Sequence, residues 1–140
     1  MTIIDLLKKY SDFMDSFTIE KEQNVNNYVM YIIINGGLKM KKGKIASQVG
    51  HAVHQITEIC LKTRKKLWKK YNLNSCPKIV LRTKDQDELL EIIEKTESLY
   101  KTYVIDEGRI QTPPNSLTVI AYVPMIKDYT PKIIQKLNSL

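Results

Sequence analysis

Residues 28–53 read YVMYIIINGGLKMKKGKIASQVGHAV, and this stretch decides the fold. Its first seven residues, 28–34, are nearly all apolar and rich in β-branched and aromatic side chains, which predicts a buried central strand. Residues 35–37 (Asn-Gly-Gly) are typical of a turn and end that strand. From about Lys44 the apolar residues recur at helical spacing, so the stretch predicts a strand, a basic loop and a helix.

The predicted helix carries two stripes of side chains. The apolar stripe consists of Ile45, Val49, Ala52, Val53, Ile56 and Cys60. The polar stripe consists of Lys44, Gln48, His51 and Gln55, which share one face because they are spaced i, i+4, i+7 and i+11. Lys44 lies at the predicted helix start, where its ammonium group and the free backbone N–H groups favour a bound anion.

Strands and helices alternate through the rest of the chain. Further strands are predicted at Lys78–Thr83, Thr102–Asp106 and Leu117–Val123. Helices are predicted around residues 62–71, from Asp85 to about Lys101, and from Thr130-Pro131 through Leu137. Asp85 and Glu88 resemble a capping pair, and Thr130 and Pro131 fit an N-cap and a first helical position. This pattern predicts a single α/β layered domain with a mixed four-stranded sheet. A short helix-free loop joins the last two strands, so they are expected to be antiparallel neighbours.

The first 27 residues differ from the rest. Residues 2–17 show a helical period, Thr2 can cap the start, and Asp5 lies in the first turn. Residues 18–27 are polar and are predicted to link this N-terminal helical extension to the domain at 28–140. The helix could pack on the domain, pair with a partner or form an accessory arm, and the sequence leaves these alternatives open.

The charge is concentrated in one segment. The formal net charge is +7, but residues 39–70 alone carry +9, which leaves −2 on the rest. A basic block on a near-neutral body suggests a polyanionic partner, although a merely solvated lysine-rich face gives the same count.

Two well-known catalytic motifs are absent from the sequence. The loop at residues 36–45 is similar to a phosphate-binding loop, but Leu38 stands where the first glycine belongs and Ile45 replaces the magnesium-holding hydroxyl. No Gly-x-Ser-x-Gly elbow occurs either. The pattern therefore supports neither a nucleotide triphosphatase nor a covalent serine mechanism.

Metal and disulfide chemistry also find little support. His51 and His54 have a spacing that two metal ligands could use, but no third ligand has a suitable spacing. Cys60 and Cys76 are too few for a disulfide framework, so idle thiols in a reducing compartment are expected. No apolar run approaches membrane-spanning length and the N-terminus does not resemble a signal peptide, which predicts a cytoplasmic protein.

Three segments together resemble a known family. Residues 38–53, LKMKKGKIASQVGHAV, are similar to the type 2 peptidyl-tRNA hydrolase signature L-x-M-x-x-G-K-x-A-x-Q-x-x-H-A. Residues 106–119, DEGRIQTPPNSLTV, resemble the D-A-G-x-T…P-G-[ST]-x-T-V segment of that family. Residues 77–80, PKIV, match its central P-K-[IV]-V strand. The resemblance covers about residues 28–140.

The resemblance implies a fold, an activity and a site. The fold is a mixed four-stranded sheet with helices on both faces, and the activity is hydrolysis of the ester between peptide and tRNA, without a metal or other cofactor. Members are often dimeric, which implies a homodimer. The catalytic positions are Lys44, Asp106 and Thr118. The residues expected to bind peptidyl-tRNA are Lys39, Lys41, Lys42, Gln48, His51 and Arg109.

Several positions depart from the family pattern. Gly37 stands where an Asp is usual, Ile110 replaces a Thr, and Glu107 and Asn115 replace an Ala and a Gly. Thr112 could supply the hydroxyl that Ile110 lacks. Two alternatives to the hydrolase therefore stay open. One is an RNA-binding protein of the same fold with weakened catalysis, and the other is an interaction domain that recruits a partner through residues 1–27.

Overall fold

The computed structural model of the chain describes residues 1–15, 27–107 and 113–140. The helices are α1 (Ile3–Asp15), α2 (Lys42–Thr63), α3 (Lys65–Leu73), α4 (Gln86–Lys95) and α5 (Lys132–Gln135). The strands are β1 (Tyr28–Ile34), β2 (Lys78–Arg82), β3 (Lys101–Asp106), β4 (Ser116–Tyr122), β5 (Met125–Ile126) and β6 (Asn138–Ser139). Two short 3₁₀ turns lie at Gly36–Leu38 and Lys127–Tyr129.

The sheet is mixed, as the sequence predicts. Its strand order is β3-β4-β1-β2-β6, and β5 pairs with the start of β1. The β1–β2 pair is parallel, whereas β4 and β5 on β1, β6 on β2, and β3 on β4 are antiparallel. The expected antiparallel pairing of β3 and β4 is therefore confirmed. The expectation of four strands is wrong, because the described residues form six. The two additional strands have two residues each, too few for an alternating pattern to show.

The central position of β1 follows from its composition. All seven of its residues are buried. Met30, Ile32 and Ile34 belong to the core beneath α2 and α3, while Val29 and Ile33 belong to the core beneath α4 and α5. Since neither face of the strand has a polar side chain that could meet water, both faces must be covered. The helices consequently lie on both sides of the sheet.

The helix after β2 begins where the sequence predicts it but ends earlier. Asp85 Oδ1 accepts a hydrogen bond of 2.8 Å from the Glu88 backbone N–H, so the capping pair is confirmed. The helix stops at Lys95 rather than near Lys101, because Thr96 Oγ1 bonds the Ile92 carbonyl at 2.6 Å and the buried Tyr122 hydroxyl at 2.7 Å. Lys101 then donates to the Thr96 carbonyl and begins β3.

The closing helix is also shorter than predicted. It covers Lys132–Gln135, and Pro131 occupies the cap position that the sequence assigns to Thr130. The Thr130 hydroxyl instead bonds the Lys127 carbonyl and the Tyr31 hydroxyl, at 2.7 and 2.9 Å, inside the core.

The N-terminal helix α1 forms with the predicted cap. Thr2 Oγ1 accepts from the Asp5 backbone N–H at 3.1 Å, and the Thr2 backbone N–H donates to the Asp5 carboxylate at 3.0 Å. The Thr2 hydroxyl also donates to the Asp5 carboxylate at 2.8 Å, and the bonds from the Thr2 backbone N–H and hydroxyl lower the pKa of that carboxyl. The apolar side chains of α1 are exposed, among them Ile3, Leu6, Leu7, Tyr10 and Phe13. The predicted linker lies mostly outside the described residues. None of the described helices combines the length and apolar content that crossing a membrane needs.

Gly36 is the position where the turn after β1 tolerates least change. A Cβ atom there would lie 1.8 Å from the Thr83 backbone oxygen, whereas a Cβ at Gly50, within α2, would meet nothing within 4 Å. We expect Gly36→Ala to lower the free energy of unfolding by roughly 2 kcal/mol or more, because backbone must move. Gly50→Ala should raise it by about 0.5–1 kcal/mol. Urea denaturation followed by circular dichroism measures both, and equal stability of Gly36→Ala and the parent would contradict the turn geometry.

Candidate active site

Two of the predicted site residues form an ion pair at one end of the sheet. Lys44 lies in the first turn of α2, and Asp106 is the last residue of β3. Lys44 Nζ lies 2.9 Å from Asp106 Oδ1, and the two side chains are 13% and 10% exposed. The pair is thus largely shielded from water but still reachable, so its charges are less screened than those of surface pairs.

The packing of α2 along β3 brings these residues together. The helix and the strand run in opposite directions, so that residues 62 positions apart meet at the start of one and the end of the other. Further along this seam between α2 and β3, the Thr102 hydroxyl donates to Gln55 Oε1 at 2.7 Å. Lys44 and Gln55 of the polar stripe thus contact β3, whereas His51 of the same stripe is exposed.

Thr118 lies deeper than the ion pair. It is fully buried on β4, and its hydroxyl shares its proton between Gln48 Oε1 at 2.8 Å and the Val104 carbonyl at 3.1 Å. Gln48 is itself only 4% exposed. This geometry makes Thr118 and Gln48 a buried bridge between α2 and β4 beside the ion pair, rather than open contact points for a ligand.

Asn35 is a connecting residue that sequence reasoning missed. Its side-chain amide donates to the Leu117 carbonyl at 2.9 Å, its side-chain oxygen accepts from the Gly37 N–H at 3.1 Å, and its backbone N–H donates to the Thr118 carbonyl at 2.9 Å. It thereby ties the loop before α2 to the strand that carries Thr118. An Asn directly between a buried strand and Gly-Gly is the available signal, since such residues bond their own backbone in turns.

Three of the other residues expected to bind substrate lie around the start of α2, and His51 lies in the third turn of that helix. Lys39, Lys41, Lys42 and His51 are all exposed, and Lys39 takes a left-handed backbone conformation with φ 52° as it closes the 3₁₀ turn. Arg109 lies outside the described residues. The basic side chains therefore flank the ion pair on the loop and first turn, where the helix N-terminus adds its own positive field.

The two histidines and the buried cysteine take other places. Among the described residues, no three His, Cys, Asp or Glu side chains are grouped closely enough to hold a metal ion. His54 lies 3.1 Å from Glu58 on the exposed side of α2. Burial raises the pKa of the Cys60 thiol, which disfavours the thiolate that a nucleophile would need.

A family model for "Peptidyl-tRNA hydrolase PTH2" matches residues 28–140. The chain belongs to this family. The matched range begins at the first residue of β1 and contains both members of the ion pair. The first 27 residues lie outside it.

Individual relatives agree with this assignment. A probable peptidyl-tRNA hydrolase 2 of Dictyostelium discoideum is 30% identical over 89% of this chain, and a mitochondrial peptidyl-tRNA hydrolase 2 of Bos taurus is 31% identical over 76%. A peptidyl-tRNA hydrolase of Sulfolobus acidocaldarius is 39% identical over 68% of this chain and 85% of its own length. The chain spans only 60% of the length of the Dictyostelium and bovine relatives.

The buried bridge between Thr118 and Gln48 can be tested by stability. Thr118→Val keeps the shape of the side chain but leaves Gln48 Oε1 without this donor, so we expect a loss of about 1–3 kcal/mol of unfolding free energy. Thr118→Ser retains the hydroxyl and should lose less unfolding free energy than Thr118→Val. Thr63→Val, which removes two exposed bonds of the hydroxyl at the end of α2, serves as the control and should change stability by no more than about 0.5 kcal/mol. Denaturant titration measures these changes. If Thr118→Val lost no more unfolding free energy than Thr63→Val, the result would contradict the bridge.

Proposed function

We propose that this chain hydrolyses the ester that joins a peptide to the terminal ribose of tRNA, which frees the tRNA for reuse. The observation that supports this proposal most strongly is the shielded Lys44–Asp106 ion pair, because it holds a base and a cation side by side at a helix N-terminus. Membership of the peptidyl-tRNA hydrolase family supports the choice of substrate. The site that we propose consists of these two residues as the catalytic pair, with the neighbouring lysines as tRNA contacts.

The pair can divide the work of ester hydrolysis between its charges. Asp106 takes a proton from a water molecule as the water oxygen attacks the ester carbonyl. Lys44 uses an ammonium N–H that does not point at Asp106 to hold the oxyanion that forms. When the tetrahedral intermediate collapses, the ribose oxygen leaves and takes up the proton from Asp106, so the enzyme returns to its starting state.

Thr118 acts in this scheme as a positioning residue. Its hydroxyl fixes the Gln48 amide, and Gln48 lies one helical turn after Lys44 on α2. The bond therefore sets the distance between the start of α2 and the sheet edge that carries Asp106. A small shift of that distance would pull the ammonium group away from the oxyanion position.

The lysines supply attraction for the RNA backbone. The ten basic residues of the 39–70 segment fall into two groups, one around the start of α2 and one at its end and along α3. Since α2 has 22 residues, the two groups are about 33 Å apart. A charge distribution of this length suits an extended polyanion better than a small anionic metabolite, and its attraction falls as salt rises.

Two of the departures from the family pattern have structural explanations. A side chain at Gly37 would start 3.1 Å from the Gln86 backbone nitrogen, at the N-terminus of α4 and not at the ion pair. Asn115, which replaces a glycine, has φ 62°, a conformation that Asn tolerates better than most residues. Both changes therefore concern local backbone. Ile110 and Thr112 lie outside the described residues, so a weakened RNA-binding protein of the same fold is the second candidate.

We also propose the division into residues 1–27, an N-terminal helix and linker, and residues 28–140, the hydrolase domain. The family match over 28–140 and the exposed apolar side chains of α1 support it. These side chains favour a partner-recruiting role for α1 as a third candidate. A cytoplasmic location and a homodimer complete the proposal. The name of the bovine relative gives a mitochondrial location for that protein, so cell fractionation and sedimentation test these two points.

The hydrolase proposal is tested by incubating the full chain with an N-acetylated aminoacyl-tRNA and following ester cleavage. We expect Lys44→Ala and Asp106→Asn each to lower kcat by roughly 100-fold or more, because each removes a charge that acts in the transition state. Lys95→Ala breaks the exposed Lys95–Glu91 ion pair, at 2.7 Å, and is the matched control with unchanged turnover.

Two results would count against the proposal. A parent protein that binds tRNA without cleaving it would leave the RNA-binding alternative. Full activity in both Lys44→Ala and Asp106→Asn would place the catalytic site elsewhere.

A further inference from the structure

A pocket of about 540 Å³ lies at the end of β3 opposite to Asp106. Its lining includes Arg64, Glu97, Tyr100, Lys101 and Tyr103. Arg64 follows the last residue of α2, and Tyr100 immediately precedes β3. The pocket therefore occupies the far end of the α2–β3 seam that carries the catalytic pair at its near end.

The pocket presents an arginine and an aromatic ring in contact. The guanidinium carbon of Arg64 lies 4.2 Å from the centroid of the Tyr100 ring, and Arg64 Nη1 donates to Thr63 Oγ1 at 3.2 Å. Two contacts thus fix the guanidinium group before any ligand arrives. Tyr100 and Tyr103 are 46% and 44% exposed, which is a large exposed fraction for aromatic residues.

The charges around the pocket distinguish its rim from its floor. Lys62, Lys65 and Lys66 are exposed next to Arg64, where the end of α2 meets α3. Lys101 is turned inward instead, because its ammonium group donates to the Thr96 and Leu99 carbonyls at 2.8 and 2.7 Å. Glu97 adds a carboxylate that can accept hydrogen bonds. The surroundings of the pocket are consequently basic, while its lining includes two tyrosines and the Glu97 carboxylate.

We propose that this pocket binds an unpaired nucleobase of the substrate RNA, upstream of the nucleotide that carries the ester. The base stacks on the exposed ring or the guanidinium plane, Glu97 accepts from an exocyclic amine, and the lysines on the rim contact phosphates. This inference rests on the proposed function for the identity of the RNA.

The spacing of the two sites agrees with one strand of RNA reaching both. Tyr100 and Asp106 are six positions apart in the sequence, so the pocket and the catalytic pair lie about 20 Å apart along the extended strand. That distance is too long for one nucleotide, and a few unpaired nucleotides at the 3′ end of a tRNA can span it in an extended conformation. Binding at the pocket therefore requires an RNA of several nucleotides, whereas the catalytic pair needs only the terminal nucleotide.

A protein partner is the competing occupant, because β3 is the edge strand of the sheet and exposes Tyr103 and Ile105. The surrounding lysines favour RNA, since lysine is depleted from protein interfaces, whereas arginine and tyrosine are common in both kinds of interface. The two occupants differ in their dependence on salt and on RNA length.

The test compares two substrates and one binding measurement on the full chain. The substrates are an N-acetylated aminoacyl-tRNA and the same aminoacyl ester on a single adenosine. Tyr100→Leu removes the ring, Tyr100→Phe retains it, and Tyr129→Leu changes a tyrosine that is 80% exposed outside the pocket. Fluorescence anisotropy with labelled, uncharged tRNA gives Kd for each variant at several salt concentrations.

We expect Tyr100→Leu to raise KM for the tRNA substrate and Kd for tRNA by roughly 5- to 100-fold, the range for loss of one stacked base. kcat should stay unchanged, and so should kcat/KM for the adenosine ester. Tyr100→Phe and Tyr129→Leu should resemble the parent. Arg64→Gln should weaken binding and reduce the slope of log Kd against log salt by about 1.

The outcomes separate this inference from the proposed function. A parent that cleaves neither substrate would overturn the hydrolase, yet weaker tRNA binding by Tyr100→Leu alone would still support the pocket. Equal effects of Tyr100→Leu on both substrates, or no effect on tRNA binding, would overturn the pocket. If Tyr100→Leu left tRNA binding unchanged but lowered the sedimentation coefficient of the protein, the surface would instead bind a second copy of the chain.

Discussion

The packing of α2 along β3 and β4 is the constraint on which every functional feature of the molecule depends. It closes the Lys44–Asp106 ion pair, the Thr118–Gln48 bridge and the Arg64–Tyr100 contact at successive positions along one helix. The core beneath the helix is apolar, and Ala52, Ile56 and Cys60 are fully buried. The helix therefore cannot rotate without exposing this core, and Lys44, Gln48 and Gln55 are held against β3 and β4.

The shielded ion pair carries an energetic cost that the surrounding structure offsets. Removing two charges from water costs several kcal/mol, and the attraction between them returns this only with good geometry. Here the 2.9 Å contact is held at both ends by regular structure, a helix start and a strand end. Such a pair adds little to stability for its own sake. In the proposed mechanism, the pair keeps an acceptor and a cation in fixed positions for chemistry.

The sequence predicted those parts of the fold that rest on local pattern. The apolar run 28–34 and the two stripes of α2 gave the central strand and the helix, and the caps at Thr2 and Asp85 were visible as residue pairs. The early end of α4 was not predictable, because it depends on Thr96 meeting the Tyr122 hydroxyl, 26 residues later. The two-residue strands β5 and β6 are too short for any period to show.

The candidate site was predictable in part for the same reason. Lys44 and Asp106 could each be singled out by their places at a helix start and a strand end, and the family motifs named both. That Thr118 bonds Gln48 inside the core, and that Arg64 meets Tyr100, depends on the register between α2 and the sheet. No local pattern encodes that register, so these contacts and the anchoring role of Asn35 came only from the structure.

A double-mutant cycle tests most directly whether Lys44 and Asp106 act together in catalysis. The measurement is single-turnover cleavage of an N-acetylated aminoacyl-tRNA. If Lys44 and Asp106 act as one catalytic unit, the double variant Lys44→Ala/Asp106→Asn should be about as slow as each single variant, because groups that act together are strongly non-additive. If the rate losses of the two single variants multiplied in the double variant, the two residues would act independently, and the proposed catalytic pair would be contradicted.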